Sequence, residues 1–187
     1  MDADDYMTYV EFGRKFFEVA VTEDRVGGAI GAIAGDSFEM GPIGQGPGKI
    51  AKVTAKVRIM EPRITRQVGE MITFAIRIPL EIDMVVDLRI DRPKFMVFGE
   101  IALRATARAA APLLLILDVE KPRSSDISIH VTSKSLRAEV VRVLGGIDAE
   151  IRRFIAAHVS GEIDSPASKT AKIIDVADRL DAAWTGI

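Results

Sequence analysis

The chain has 187 residues, 48% of them hydrophobic, which supplies enough apolar material for one core; 25 Lys and Arg against 27 Asp and Glu leave a formal net charge of −2, so no global field draws it to nucleic acid or acidic membranes. With no cysteine in the sequence, disulfides, thiolate metal sites and thiol nucleophiles are all excluded. The acidic start M-D-A-D-D-Y-M-T-Y lacks the basic region and apolar run of a secretory leader, and the most apolar stretch, 101–117, is interrupted by Arg104 and Arg108 short of the roughly 18 to 20 residues of a membrane-spanning helix. The expected setting is cytoplasmic, with no nucleic-acid partner and no transmembrane segment.

Over 4–20, Tyr6, Tyr9, Val10, Phe12, Phe16 and Phe17 recur at helical spacings, with Arg14, Lys15 and Glu18 elsewhere on the wheel, and predict an amphipathic helix. Thr22 can cap a second helix, in which Glu23 and Asp24 suit the first turn and Val26, Ile30 and Ile33 share a face before Gly35. Its Gly27, Gly28 and Gly31 weaken it. The run G-P-I-G-Q-G-P-G over 41–48 reads as a loop. It is no phosphate cradle, because Lys49 is followed by Ile50 where such a loop needs Ser or Thr and a helix.

Ala51, Val53, Ala55, Val57 and Ile59 alternate with Lys52, Thr54, Lys56 and Arg58, the period of a strand with one buried face. Pro62 and Gly69 bracket a connection. Ile72, Phe74, Ile76, Ile78, Leu80, Ile82, Met84, Val86, Leu88 and Ile90 then occupy consecutive even positions. Fully extended, that run spans roughly 60 Å, so the strand has to bend or break, and Pro79, which lacks a ladder donor, is the natural place. Asp91, Arg92, Pro93 and Lys94 form a turn, after which odd positions are buried: Phe95, Val97, Gly99, Ile101, Leu103, Ala105 and Ala107. A four-residue turn places Ile90 opposite Phe95, Met84 opposite Ile101 and Glu81 opposite Arg104, an opposite-charge pair offset by an unfavourable Arg77 opposite Arg108.

Pro112 sets off a strand over 113–119, and Pro122, Ser124 and Ser125 lead into another carrying Ile127, Ile129 and Val131. From Ser135 the period turns helical through Leu136, Val140, Val143, Leu144, Ile147, Ile151, Phe154, Ile155, Val159 and Ile163, with Asp148 and Arg152 spaced for an i,i+4 pair. Pro166 and Ser168 start a last helix, on which Ile173, Ile174, Ala177, Leu180 and Trp184 can dock. These elements predict one α+β domain: helices over 4–34, a long, curved antiparallel β-sheet of about 5-7 strands over 38–132, and amphipathic helices over 135–184.

Candidate chemistry is sparse. His130 and His158 have no second ligand at metal-binding spacing, Ser124 and Ser125 lie in a Pro-Arg-Ser-Ser-Asp turn without a nucleophile elbow, and Glu81, Asp83, Asp87 and Asp91 read as a solvated strand face. Arg152, Arg153 and Lys169 are interleaved with Asp148, Glu150 and Glu162, a mixed surface. No catalytic residue, metal or cofactor is expected. The distinctive feature is an aliphatic wall: Phe74, Ile76, Ile78, Leu80, Ile82, Met84, Val86 and Leu88 on one strand, Phe95, Val97, Ile101 and Leu103 on the next, and Val140, Leu144, Ile147 and Ile151 on the long helix. Such a wall is covered either by helices, as a filled core, or by a ligand, as a lined groove.

The order of an N-terminal helix, long alternating strands such as 72–90 and a long amphipathic helix resembles, over 38–163, the tubular lipid-binding superfamily of bactericidal permeability-increasing proteins and synaptotagmin-like lipid-binding domains. Those proteins wrap a strongly curved sheet around a long helix and hold acyl chains in the seam. The resemblance implies non-enzymatic binding of a lipid, acyl chain or other apolar small molecule between the sheet and the helix over 136–163, with the wall residues as lining. The alternative is an interaction or homo-oligomeric assembly module with a filled core, docking through Tyr6, Tyr9, Phe12, Phe16 and Phe17.

Overall fold

A computed structural model describes residues 6–34, 37–45, 51–131 and 138–184, without the side chains of 32–34, 45, 131 and 138–144. Gly35, Ser135 and Leu136 therefore lie outside the described residues, as do 46–48 of the glycine run, Lys49, Ile50 and the side chains of Ile33, Val131, Val140, Val143 and Leu144. The element order is α1 (Tyr9–Ala20), α2 (Glu23–Ala34), β1 (Ser37–Gln45), β2 (Ala51–Ile59), β3 (Arg63–Val68), β4 (Ile72–Asp87), β5 (Lys94–Ala110), β6 (Leu114–Val119), β7 (Ile127–Val131), α3 (Ala138–Asp164), α4 (Pro166–Ala171), β8 (Ile173–Asp175) and α5 (Val176–Trp184). The strands form one antiparallel sheet, curled into a half-barrel, in the order β1-β2-β4-β5-β6-β8, with β3 also on β4 and β7 also on β5.

The two long strands organise everything else. β4 has 16 residues and β5 has 17, and their apolar positions stay in phase throughout. Even positions of β4 from Ile72 to Val86 are buried, as are Val97, Ile101, Leu103, Ala105 and Ala107 of β5. β4 runs unbroken through Pro79, and the geometry explains how. The Pro79 carbonyl accepts from the Met60 N–H at 2.9 Å, so the side on which its amide is missing faces the gap between β2 and β3. The ladder loses nothing there. β2 and β3 thus act as one interrupted strand along the same edge of β4, pairing Ile59 with Leu80 and Arg63 with Arg77.

Several sequence expectations are corrected. In the β4–β5 register Met84 faces Phe95, Ile78 faces Ile101 and Glu81 faces Phe98, a displacement of six residues from the pairing expected of a turn over 91–94. The reversal occurs earlier, at Arg89 and Ile90, where the Leu88 amide donates to the Asp91 carbonyl at 2.9 Å and Arg89 adopts φ 71°. A positive φ at the first of two central residues matches the twist of a tight hairpin. Asp87 supplies the local chemistry in place of glycine: its carboxylate accepts the Arg89 N–H at 3.0 Å and pairs with Arg92 at 2.9 Å. Ile90, expected in the apolar phase opposite Phe95, is fully exposed at the turn. Glu81 pairs with Arg58 instead of Arg104, and Arg77 with Glu100 instead of facing Arg108.

Residues 41–45, read as loop, continue β1 through a bulge between Met40 and Ile43. Gly41 makes this geometry available, with φ 105° and a position where a Cβ would lie 2.5 Å from the Val53 carbonyl. The connection expected over 62–69 contains β3, whose inward phase carries Arg66 between Ile64 and Val68, so its alternation is not apolar. Ile173 and Ile174, expected on a helix, form β8 against Ile116 and Leu115.

Because Ile82 is wholly buried between paired strands and Ile90 is wholly exposed, Ile82→Ala is expected to cost about 2–5 kcal/mol, and Ile90→Ala less than about 0.5 kcal/mol, in urea unfolding. The Arg89 N–H holds the Asp87 carboxyl below its usual range against the opposing desolvation, with further help from Arg92 and Lys52. The stability this lends is present above the unfolded-state value and disappears as pH falls through the folded one. Urea midpoints of the wild type should therefore drop more steeply between about pH 5 and about pH 2 than those of Asp87→Asn.

Candidate apolar binding site

The concave face of the sheet carries the wall, and helices cover it. Phe74, Ile76, Ile78, Leu80, Ile82, Met84, Val86, Val97, Ile101 and Leu103 share one buried cluster with Val26 and Ile30 of α2 and Ile147, Ile151, Ile155, Val159 and Ile163 of α3. Leu88 and Phe95, near the hairpin turn, are half-buried and pack on its margin. Ile76, Ile82, Val97, Ile101, Ile147 and Ile155 have no solvent-accessible surface at all. No water-sized space touches them, so a ligand among these residues would have to displace a helix.

One open space lies at an end of this core. Pairing of Thr73 with Thr106 brings the β3–β4 turn beside the last residues of β5, and α1 lies across both. Between them is a cleft of about 450 Å³ lined by Val10, Gly13, Arg14, Phe17 and Glu18 of α1, by Val68, Gly69, Glu70, Met71 and Ile72, and by Ala107, Arg108 and Ala109. Alanines at the end of β5 leave the room that larger side chains fill elsewhere on the sheet. Four charged residues, Arg14, Glu18, Glu70 and Arg108, join this lining; Glu18 holds Lys15 at 3.2 Å and Arg108 holds Asp118 at 2.8 Å.

α1 is anchored firmly at its end and lightly at its start. Its last-turn carbonyls, which an isolated helix leaves unsatisfied, accept from two arginines: Arg66 reaches the Glu18 carbonyl at 2.7 Å and Arg25 the Ala20 carbonyl at 2.8 Å. Glu23 in turn accepts the Arg66 backbone N–H at 2.7 Å, tying the α1–α2 corner to β3. Phe16 and Phe17, in edge-to-face contact at 6.0 Å, pack against the core without being fully buried. The first turn relies on a capping box, in which Glu11 accepts the Thr8 amide at 2.8 Å and Thr8 Oγ1 accepts the Glu11 amide at 3.2 Å. Tyr9 is 96% exposed and Val10 76%.

Phe38 stacks on the ring of His158 at 3.9 Å and on Phe154 at 6.0 Å. His130 faces Phe98 across the β5–β7 pair and is exposed. Glu81 and Asp83 both pair with Arg58, and Arg152 with Asp148. Among the described residues no group of three or more His, Asp or Glu side chains could hold a metal ion, and no helix is long and apolar enough to cross a membrane.

No family model matches the chain, and no curated protein matches it. Its site is therefore read from geometry. Periodicity identified Val10 and Phe17 as part of an apolar helix face, but Val68, Met71, Ala107 and Ala109 were not legible as lining, since alternation assigns residues to faces of a sheet and is silent about its ends.

Removing the cap hydroxyl with Thr8→Ala should destabilise the first turn of α1 by about 1 kcal/mol. In hydrogen exchange the amides of α1 should then exchange roughly five-fold faster while those of β4 and β5 stay unchanged.

Proposed function

We propose that the protein binds an apolar ligand, a lipid or acyl chain, without chemical turnover, in the cleft between α1 and the open end of the sheet. The observation that carries this reading is the cleft itself: about 450 Å³ of apolar-lined space beside a helix held mainly at one end. Ligand sites typically enclose roughly 300–1,000 Å³ and are mostly apolar. Lining of this kind supplies buried area, worth about 25 cal/mol per Å², and little directional chemistry, which suits a chain of methylenes better than a polar metabolite. The curled sheet around helices agrees with the resemblance to tubular lipid-binding proteins. The reading differs from that resemblance in location, since among the described residues the seam between the sheet and α3 over 147–163 is filled by the protein's own side chains.

The exposed aromatic face of α1 also favours a second reading, an assembly module in which copies dock through Tyr9 and Phe12. Native mass spectrometry of protein purified without detergent separates the two, because co-purifying lipid supports the binder and a homogeneous ligand-free oligomer supports the module.

Gly13 allows a sharper test. It lines the cleft, and a Cβ added there meets nothing within 4 Å, so Gly13→Leu places a side chain into the open space. Leucine also favours a helix over glycine by about 0.8–1 kcal/mol. The variant should be at least as stable as the wild type in thermal melts, yet bind a dansyl-labelled fatty acid at least about ten-fold more weakly. Undiminished binding in a stable Gly13→Leu protein would remove the cleft from consideration.

A further inference from the structure

We propose that the ligand of the cleft is a single-chain amphiphile with a zwitterionic headgroup, whose anionic group is held by Arg14 of α1 and whose cationic group is held by Glu70 of the β3–β4 turn. The inference rests on the reading of the cleft as an acyl-chain site and names the class of lipid that fits it.

The lining is graded. Ile72 and Ala107 are buried, Phe17 is half-buried, and Arg14, Glu70 and Arg108 are exposed. Apolar surface therefore lies deepest and charge at the rim, the polarity order of an amphiphile that enters tail first. At about 450 Å³ the space is near the lower end of the roughly 300–1,000 Å³ of ligand sites, which suits one chain better than two. Arg14 follows Gly13, where a Cβ would meet nothing within 4 Å, so the helix wall beside the guanidinium is open. Glu70 sits at the tip of a turn in which the Gly69 N–H donates to the Met71 carbonyl at 3.1 Å. Helix and turn thus bring opposite charges to one space.

The pairing of these charges decides the class of headgroup. Glu18 and Arg108 are engaged by Lys15 and Asp118. Among the described residues neither Arg14 nor Glu70 has an ion-pair partner. Glu11, three residues before Arg14, gives its carboxylate to the Thr8 amide and hydroxyl, each at 2.8 Å. One free cation and one free anion therefore remain in the lining. A fatty acid or an alkylamine meets one attraction and one repulsion there, whereas a headgroup with both signs meets two attractions. The guanidinium fork matches phosphate or carboxylate oxygens, and the Glu70 carboxylate accepts an ammonium. The chain supplies affinity in every case and the headgroup supplies the preference, which is modest because both charges are exposed.

Calorimetric titration of the full chain with lauroyl amphiphiles, each below its micelle concentration, tests the assignment. Lauroyl lysophosphatidylcholine should bind about ten-fold more tightly than monolauroylglycerol, and the preference should shrink in high salt. Arg14→Gln and Glu70→Gln, both at exposed positions, should each weaken lysophosphatidylcholine about three-fold while leaving monolauroylglycerol and the thermal melt unchanged. They should act oppositely on probes of one sign, Arg14→Gln improving dodecylamine and Glu70→Gln improving lauroyl lysophosphatidic acid. The zwitterion is overturned, with the cleft still standing, if monolauroylglycerol or either singly charged probe matches lysophosphatidylcholine on the wild type, or if both substitutions leave the preference intact. If no probe binds, or if Gly13→Leu does not weaken binding, the cleft itself is lost and the headgroup assignment with it.

Discussion

Everything in this fold depends on the pairing of β4 with β5, two strands of 16 and 17 residues whose apolar positions never fall out of phase. A ladder that long twists, and with one face apolar throughout it curls so that this face lies inside. The concave surface then has to be covered along its length, and α2 and α3 supply aliphatic side chains that bury it together with their own apolar faces. Pro79 illustrates how tightly the arrangement is specified. A proline in a central strand is tolerated only because its donorless side meets the interruption between β2 and β3.

A half-barrel filled at its centre still has ends, and the two differ here. At the Leu88–Asp91 turn the chain closes tightly, held by Asp87 and surrounded by charge. At the other end β5 finishes in a run of alanines, α1 crosses it with no fully buried residue, and a cleft remains. The anchoring of α1 by Arg66 and Arg25 at its C-terminal carbonyls, with only a capping box at its start, lets one helix seal the core corner and still present an aromatic face outward.

The alternation over 72–88 made the long strand, its buried face and the α+β class legible, because a period of two has no competing explanation over so many residues. The odd-numbered phase of the following strand was legible for the same reason. Register was not. It depends on where the chain reverses, and this turn uses Arg89 at φ 71° with an Asp87 side-chain bond, where the expected turn signal was the proline two residues beyond Asp91. β1 was hidden by its glycines and prolines, and β3 by Arg66 at an inward position whose partner is a helix carbonyl 48 residues away.

Taken alone, the order of residues determined which side of each long strand is greasy and that α1 is amphipathic. These are local properties, set by spacing along one segment. Whether the wall is core or groove, and where open space remains, was decided only in three dimensions. Coverage is a relation between segments far apart in the chain: Ile147 and Ile155 close the seam over Ile76 and Ile82, while Ala107 and Ala109 leave room beneath Gly13. Neither relation leaves a periodic mark on any single stretch of sequence.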